Sequence, residues 1–211
     1  SATGAAADNA TNATVTSITR TFNSLNAAVD ADPVGSSAAS LLGTANLTTG
    51  NFILNIACYG DGPDTLTTDE IGVDGWTTST LNYIRIYTPT IASEVGASQR
   101  HNGQWTPGAY RIEKTFSGGG VVLVLFTPHV RVDGLQIYIN NPTDDSNAQG
   151  IGDHDIEAYS VDWHISNCII KGSANRQGLG ITWDNVTSGY ARIYNNIIYN
   201  LSSASGGRGI S

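Results

Sequence analysis

The chain has 211 residues and a mass of 22.1 kDa, enough for one well-buried core and for one or two domains. Charged residues make up only 13 % and hydrophobic residues 40 %, which argues against both charge-driven disorder and long solvent-exposed helices. The net charge of −8, with Lys114 and Lys171 the sole lysines, disfavours non-specific binding to nucleic acid or to an anionic membrane.

The opening "SATGAAADNATNATVTS" is small and polar with nothing to bury. Residues 1–20 are therefore expected to form a flexible N-terminal arm, ordered only against a partner. No basic n-region or apolar h-region is visible there. A start at Ser1 fits either a cleaved signal peptide or removal of an initiator methionine from a chain kept in the cytoplasm until assembly or lysis. "TFNSLNAAVDADP" follows, with Phe22, Leu25, Ala28 and Val29 at helical spacing and Pro33 as a stop, which predicts one short amphipathic helix.

From Asn51 onward the pattern turns to strands. "NFILNIACY", "NYIRIYTP", "YRIEKTF", "VVLVLF" and "VRVDGLQIYI" are rich in Ile, Val, Tyr and Thr and are bounded by Gly, Pro, Asn and Asp. The longest apolar run, Val121–Phe126, suits a buried strand and is far too short to span a membrane. Cys58 and Cys168 show no CxxC or Cys/His ligand spacing, so two separate buried thiols are expected in preference to a long-range disulfide.

The last third repeats internally. "WHISNCII" (Trp163–Ile170) aligns with "ARIYNNII" (Ala191–Ile198), and "VRVDGLQI" (Val130–Ile137) is an earlier copy. "QGIGD", "QGLGI" and "RGIS" align on Gly150, Gly178 and Gly209. Each copy holds a strand, then Gly134, Asn167 or Asn195, then a second strand. Gly and Asn visit the left-handed backbone region at least cost, so one such residue bends the chain sharply into a different sheet. Recurring once per circuit, the bend predicts an all-β, right-handed parallel β-helix over residues 21–211, closed at its start by the short helix. Ile165 with Ile193 and Ile170 with Ile198 would stack inside it, and Asn167 with Asn195 would form a ladder at the turn. A β-sandwich or jelly roll also alternates strands with Gly and Asn turns, but gives no reason for one bend to recur at a fixed phase.

"GIGDHDIEAYSVDWHISNCIIKGS" and "GLGITWDNVTSGYARIYNNIIYNL" resemble coils of right-handed β-helix proteins of the pectate-lyase-like superfamily. "FNSLNAAVDADP" is similar to the helix that caps such solenoids, and the stretch from "IGVDGW" to "HVRVDGLQIYI" resembles first coils of uncharacterised phage and environmental β-helix proteins. The resemblance implies the fold. It is silent on activity, because this architecture hosts lyases, hydrolases, adhesins and virion proteins alike. Because a solenoid end needs a cap, the stop at "GGRGIS" is read as a fragment of a longer chain or an end covered by a neighbouring subunit.

Four groups of residues carry possible chemistry or contacts. Asp153, Asp155 and Glu157 in "GDHDIE" fall on one side of an alternating segment; the plainer reading is a solvated loop and outward strand face, and the alternatives are a Ca²⁺ site or an acid and base pair. No cofactor is expected other than Ca²⁺ at this acidic cluster. Tyr138, Tyr194, Tyr199 and Trp183 are candidates for outward rings that stack on sugars. Arg131, His164 and Arg192 occupy equivalent outward positions that would suit acidic sugars or water. "HNGQW" at His101–Trp105 reads as an excursion that contacts a ligand or another subunit.

Two functions follow as expectations. One is a non-catalytic structural or adhesive protein of a bacteriophage virion (a capsid decoration, head fibre or tail appendage), acting as a homo-oligomer that contacts surface glycans. The other is a secreted lyase or glycoside hydrolase acting on polysaccharide. The protein is placed in a virion or outside the cell, and binds neither nucleic acid nor membrane.

Overall fold

The computed structural model describes residues 20–60, 62–65, 70–91, 98–142, 148–153, 160–173, 178–183, 188–201 and 207–211. The expected arm lies almost wholly outside these residues. Among them, fifteen strands form three parallel sheets of five strands each. Strands are numbered in chain order. The first sheet holds β1 (Leu54–Ala57), β4 (Ile84–Tyr87), β7 (Val130–Asp133), β10 (Ser160–Ser166) and β13 (Ser188–Tyr194). The second holds β2 (Pro63–Thr65), β5 (Arg111–Thr115), β8 (Gln136–Asn140), β11 (Ile169–Gly172) and β14 (Ile197–Tyr199). The third holds β3 (Ile71–Val73), β6 (Gly120–Leu125), β9 (Ala148–Gly152), β12 (Gly178–Ile181) and β15 (Arg208–Ile210). Successive strands visit the three sheets in turn, and every pairing joins one circuit to the next. That arrangement fits a parallel β-solenoid.

Register explains the apolar pattern. Ile56, Ile86, Val132, Ile165 and Ile193 stand side by side across the first sheet, and Ile112, Ile137, Ile170 and Ile198 across the second. Most of these side chains are fully buried, each contributing roughly 1.5–3 kcal/mol by leaving water. Trp163 lies in the same core with its indole N–H donated to the Thr127 carbonyl at 2.9 Å. The pair Cys58 and Cys168 are free and buried, and burial pushes the Cys168 thiol up to about 12, which keeps it protonated.

The turn between first and second sheets is where the sequence signal is strongest. Gly134, Asn167 and Asn195 occupy successive circuits with φ of 85°, 54° and 56°. Asn195 donates its amide to Asn167 Oδ1, and Asn167 donates to Asp133 Oδ1 at 2.6 Å, because the aligned Gly134 has no side chain to offer. Asn196 adds a second tie between the same circuits, accepting from Cys168 N–H and donating to the Ile165 carbonyl, both at 2.9 Å.

The glycine alignment of the third sheet needs correction. Gly150 faces Gly180 and Gly209, whereas Gly178 faces Ala148. A Cβ on Gly150 would lie 2.8 Å from Ile170, and one on Gly180 would lie 2.7 Å from Ile198. These glycines leave room for the isoleucines of the second sheet, and that packing sets the register.

The expected helix is α1 (Leu25–Val29), with Ser24 as its N-cap and Leu25, Ala28 and Val29 buried. A second helix, α2 (Ala38–Leu42), was not expected; Ser37 caps its start and left-handed Gly43 its end. Trp76 holds α1 by donating to the Val29 carbonyl at 2.7 Å. Asp64 Oδ2 accepts from Leu25 N–H at 2.8 Å and from the Tyr110 hydroxyl at 2.9 Å.

Candidate functional site

Alternation along the first sheet turns the neighbours of its buried residues outward. Strand pairing then lines up Asn55, Arg85, Arg131, His164 and Arg192 in one row across all five strands. Neighbouring strands sit about 4.8 Å apart, so three guanidiniums and an imidazole crowd one file. On one side lie Tyr83, His129, Asp162 and Tyr190; on the other lie Tyr87, Asp133, Ser166 and Tyr194. Arg131 stacks on the Tyr83 ring at 3.4 Å, Arg85 on Tyr87 at 4.1 Å, and Arg192 lies 5.9 Å from Tyr190.

Two carboxylates relieve part of the repulsion. Asp133 accepts from Arg100 at 2.6 Å and meets Arg85 at 3.5 Å. Burial alone would raise its carboxyl, but the bonds from Arg100 and Asn167 hold it below the usual carboxylate range. Asp162 likewise suffers burial yet stays low, because His164 lies 3.1 Å away and Arg192 pairs with it. Arg192 Nη1 is also 2.8 Å from His164 Nε2. Among the described residues, Arg131 meets no carboxylate.

The other candidate residues do not share a site with this row. Tyr138 and Tyr199 lie on the second sheet with Lys171 between them in register. The Lys171 ammonium sits 4.9 Å from the rings of both Tyr138 and Trp105. Trp183 follows the third sheet and is half-buried against the core. Thus the candidate rings are divided among the three sheets; of them, only Tyr194 joins Arg192, and it is 54 % exposed. Asp153 is 3 % exposed and so does not sit on a solvated face, while Asp155 and Glu157 lie outside the described residues. No group of three potential metal-ligating side chains occurs among the described residues.

The "HNGQW" excursion is tied to the rest of the chain at its two ends, while Asn102, Gly103 and Gln104 between them are exposed. Arg100 reaches Thr88 and Asp133, and Thr106 N–H donates to Gln136 Oε1 at 2.7 Å. His101 Nε2 donates to the Asn167 carbonyl at 2.7 Å while its Nδ1 accepts from Gly103 N–H at 3.2 Å, which fixes the neutral ring. Burial lowers the His101 pKa accordingly. The residues that sequence reasoning missed are Tyr83, Arg85, Tyr87 and Tyr190. Their alternation with buried isoleucines was visible, but their lateral neighbours emerge only from register.

In comparisons with known proteins, no family model, no curated protein and no solved structure matches the chain. The chain is all-β, with stacked parallel strands that fit a solenoid and a first sheet that carries an outward cationic row flanked by tyrosines.

Proposed function

We propose that the protein is a non-catalytic structural or adhesive right-handed β-helix, closed at its first coil by α1 and α2, and that it serves in a bacteriophage virion as a capsid decoration, head fibre or tail appendage touching surface glycans. The observation that carries this reading is the first sheet's outer face, where Tyr190 (70 % exposed) and Tyr194 border the cationic row. A ring face stacks on sugar C–H groups, and a guanidinium offers five donors to sugar oxygens. In-register backbone pairing joined by asparagine amides suits a rigid support for such contacts. Arg85 is engaged by Asp133, and His164 and Arg192 by Asp162, an arrangement that favours holding a ligand over turning one over.

The test is retention without turnover. Immobilised neutral and uronate polysaccharides should retard the protein while releasing no soluble sugar, with or without added Ca²⁺. Release of unsaturated or reducing sugars would overturn the reading in favour of a lyase or hydrolase.

A further inference from the structure

Independently of the glycan-contact reading, we infer that Asn102–Gly103, at the tip of the excursion, is a self-modifying site: the Gly103 backbone nitrogen closes on the Asn102 side-chain amide, with His101 as the general base. Asn102 opens the single Asn–Gly pair of the chain. That pair suits succinimide formation because glycine has no Cβ to hinder the approach of its nitrogen to the neighbouring amide carbon. The fold adds a base. His101 Nε2 lies 2.7 Å from the Asn167 carbonyl, which can only accept, so Nε2 carries the ring proton. Nδ1 therefore keeps its lone pair and accepts the Gly103 N–H at 3.2 Å. This is the hydrogen that must leave before the nitrogen attacks, and the distance is within reach of a general base.

Protonation and access agree with that role. Burial and the nearby Arg100 guanidinium lower the His101 pKa, against the opposing pull of Asp133 and of the bond to Asn167, so the ring is unprotonated at neutral pH. Asn102 and Gly103 are exposed, Gly103 sits at φ 89°, and a Cβ built on it would meet none of the described residues within 4 Å. Water thus reaches the reacting atoms. The flanks are held, His101 by Asn167 and Thr106 by Gln136, so the base stays against its proton.

The chemistry balances with water alone. The Gly103 N–H proton passes to His101 Nδ1 as the bond from nitrogen to Asn102 Cγ forms. His101 then returns that proton to the departing side-chain nitrogen, which leaves as ammonia. Water opens the succinimide at either carbonyl, giving aspartate or isoaspartate. Both products place a new carboxylate beside His101, and isoaspartate also adds a methylene to the backbone. The reaction therefore alters, irreversibly, a strap that Thr106 and Trp105 hold against the second sheet.

Ageing the full chain in buffer tests the site, read by peptide mapping with mass spectrometry and by isoaspartyl methyltransferase labelling. Modification should concentrate at Asn102 over every other asparagine, and Asn102→Gln should remove the labelled product. His101→Gln should slow the reaction by roughly tenfold or more near neutral pH. That difference should vanish in urea, where the ring is no longer held against Gly103. The wild-type profile tests the base without any variant: the rate should be level just above about pH 6.5 and fall as acid protonates His101, whereas His101→Gln should climb with hydroxide throughout. Unmodified Asn102, an equal or faster rate in His101→Gln, a difference that persists in urea, or a wild-type rate that simply tracks hydroxide would overturn the inference. None of these outcomes bears on glycan contact.

Discussion

Replacing Asn167 separates the two jobs of the turn ladder, because backbone conformation and side-chain bonding can be removed one at a time. Asn167 sits at φ 54° and bonds Asp133 at 2.6 Å while accepting from Asn195. In Asn167→Ala the side-chain bonds vanish and a Cβ without a compensating polar group remains in the left-handed region. The lost bond to a half-buried carboxylate is worth about 1.5 kcal/mol and the amide–amide bond about 0.5 kcal/mol. The backbone penalty adds about 1 kcal/mol, for a total near 3 kcal/mol. In Asn167→Gly the bonds are lost too, but the left-handed conformation is free, and only glycine's extra chain entropy of about 0.5 kcal/mol offsets that gain. Equilibrium urea unfolding followed by circular dichroism should rank wild type above Asn167→Gly, and Asn167→Gly above Asn167→Ala by about 0.5 kcal/mol. An alanine variant as stable as wild type, or more stable than the glycine variant, would refute the account of the turn. Gly134→Ala, one circuit away, tests the same bend without an amide to lose. Its φ is 85° and a Cβ would lie 2.3 Å from Arg100 Nε, so it should fall at least as far as Asn167→Ala.

Other measurements probe separate parts of the molecule. Burial lowers the His101 and His129 pKa values from 6.5, so below that pH the unfolded chain takes up protons that the folded chain resists. Stability should be full above about pH 6.5 and decline as the solution is acidified through the lowered values, and His101→Gln should make the decline shallower; an unchanged slope in urea titrations would contradict this. Thr127 Oγ1 is buried without a hydrogen-bond partner among the described residues. Thr127→Val should therefore raise stability by about 1 kcal/mol, and a loss would show that the hydroxyl is engaged. Gly180→Ala puts a Cβ 2.4 Å from the Gly209 carbonyl oxygen and should destabilise by about 1–3 kcal/mol, where a neutral result would contradict the close packing of the third sheet.

The left-handed bend was readable because few residues tolerate that backbone, so Gly134, Asn167 and Asn195 advertised it from the sequence. First-sheet register followed from aliphatic alternation on either side of it. Third-sheet register was misread by two residues, since Gly178 and Gly180 offer equivalent matches and only the bulk of Ile198 selects between them. The outward row was half visible: Arg131, His164 and Arg192 belong to the repeat, whereas Arg85 and Tyr83 precede the copies that could be aligned. Docking of Arg100, His101 and Trp105 left little trace in the sequence, because Asp133, Asn167 and Tyr138, which they meet, belong to later circuits. Asp153 is buried although its polar surroundings in the sequence suggested a solvated loop.

The amide column running from Asn195 to Asp133 has a direction imposed by chemistry. An ionised carboxylate can only accept, so Asn167 must turn its nitrogen toward Asp133 and its oxygen the other way. Asn195 must then do the same, and its dipole points along the column like its predecessor's. The column is thus a one-way seam anchored at an anion. Whatever side chain is laid next upon Asn195 Oδ1 must arrive as a donor, which sets a polarity rule for anything that extends the stack.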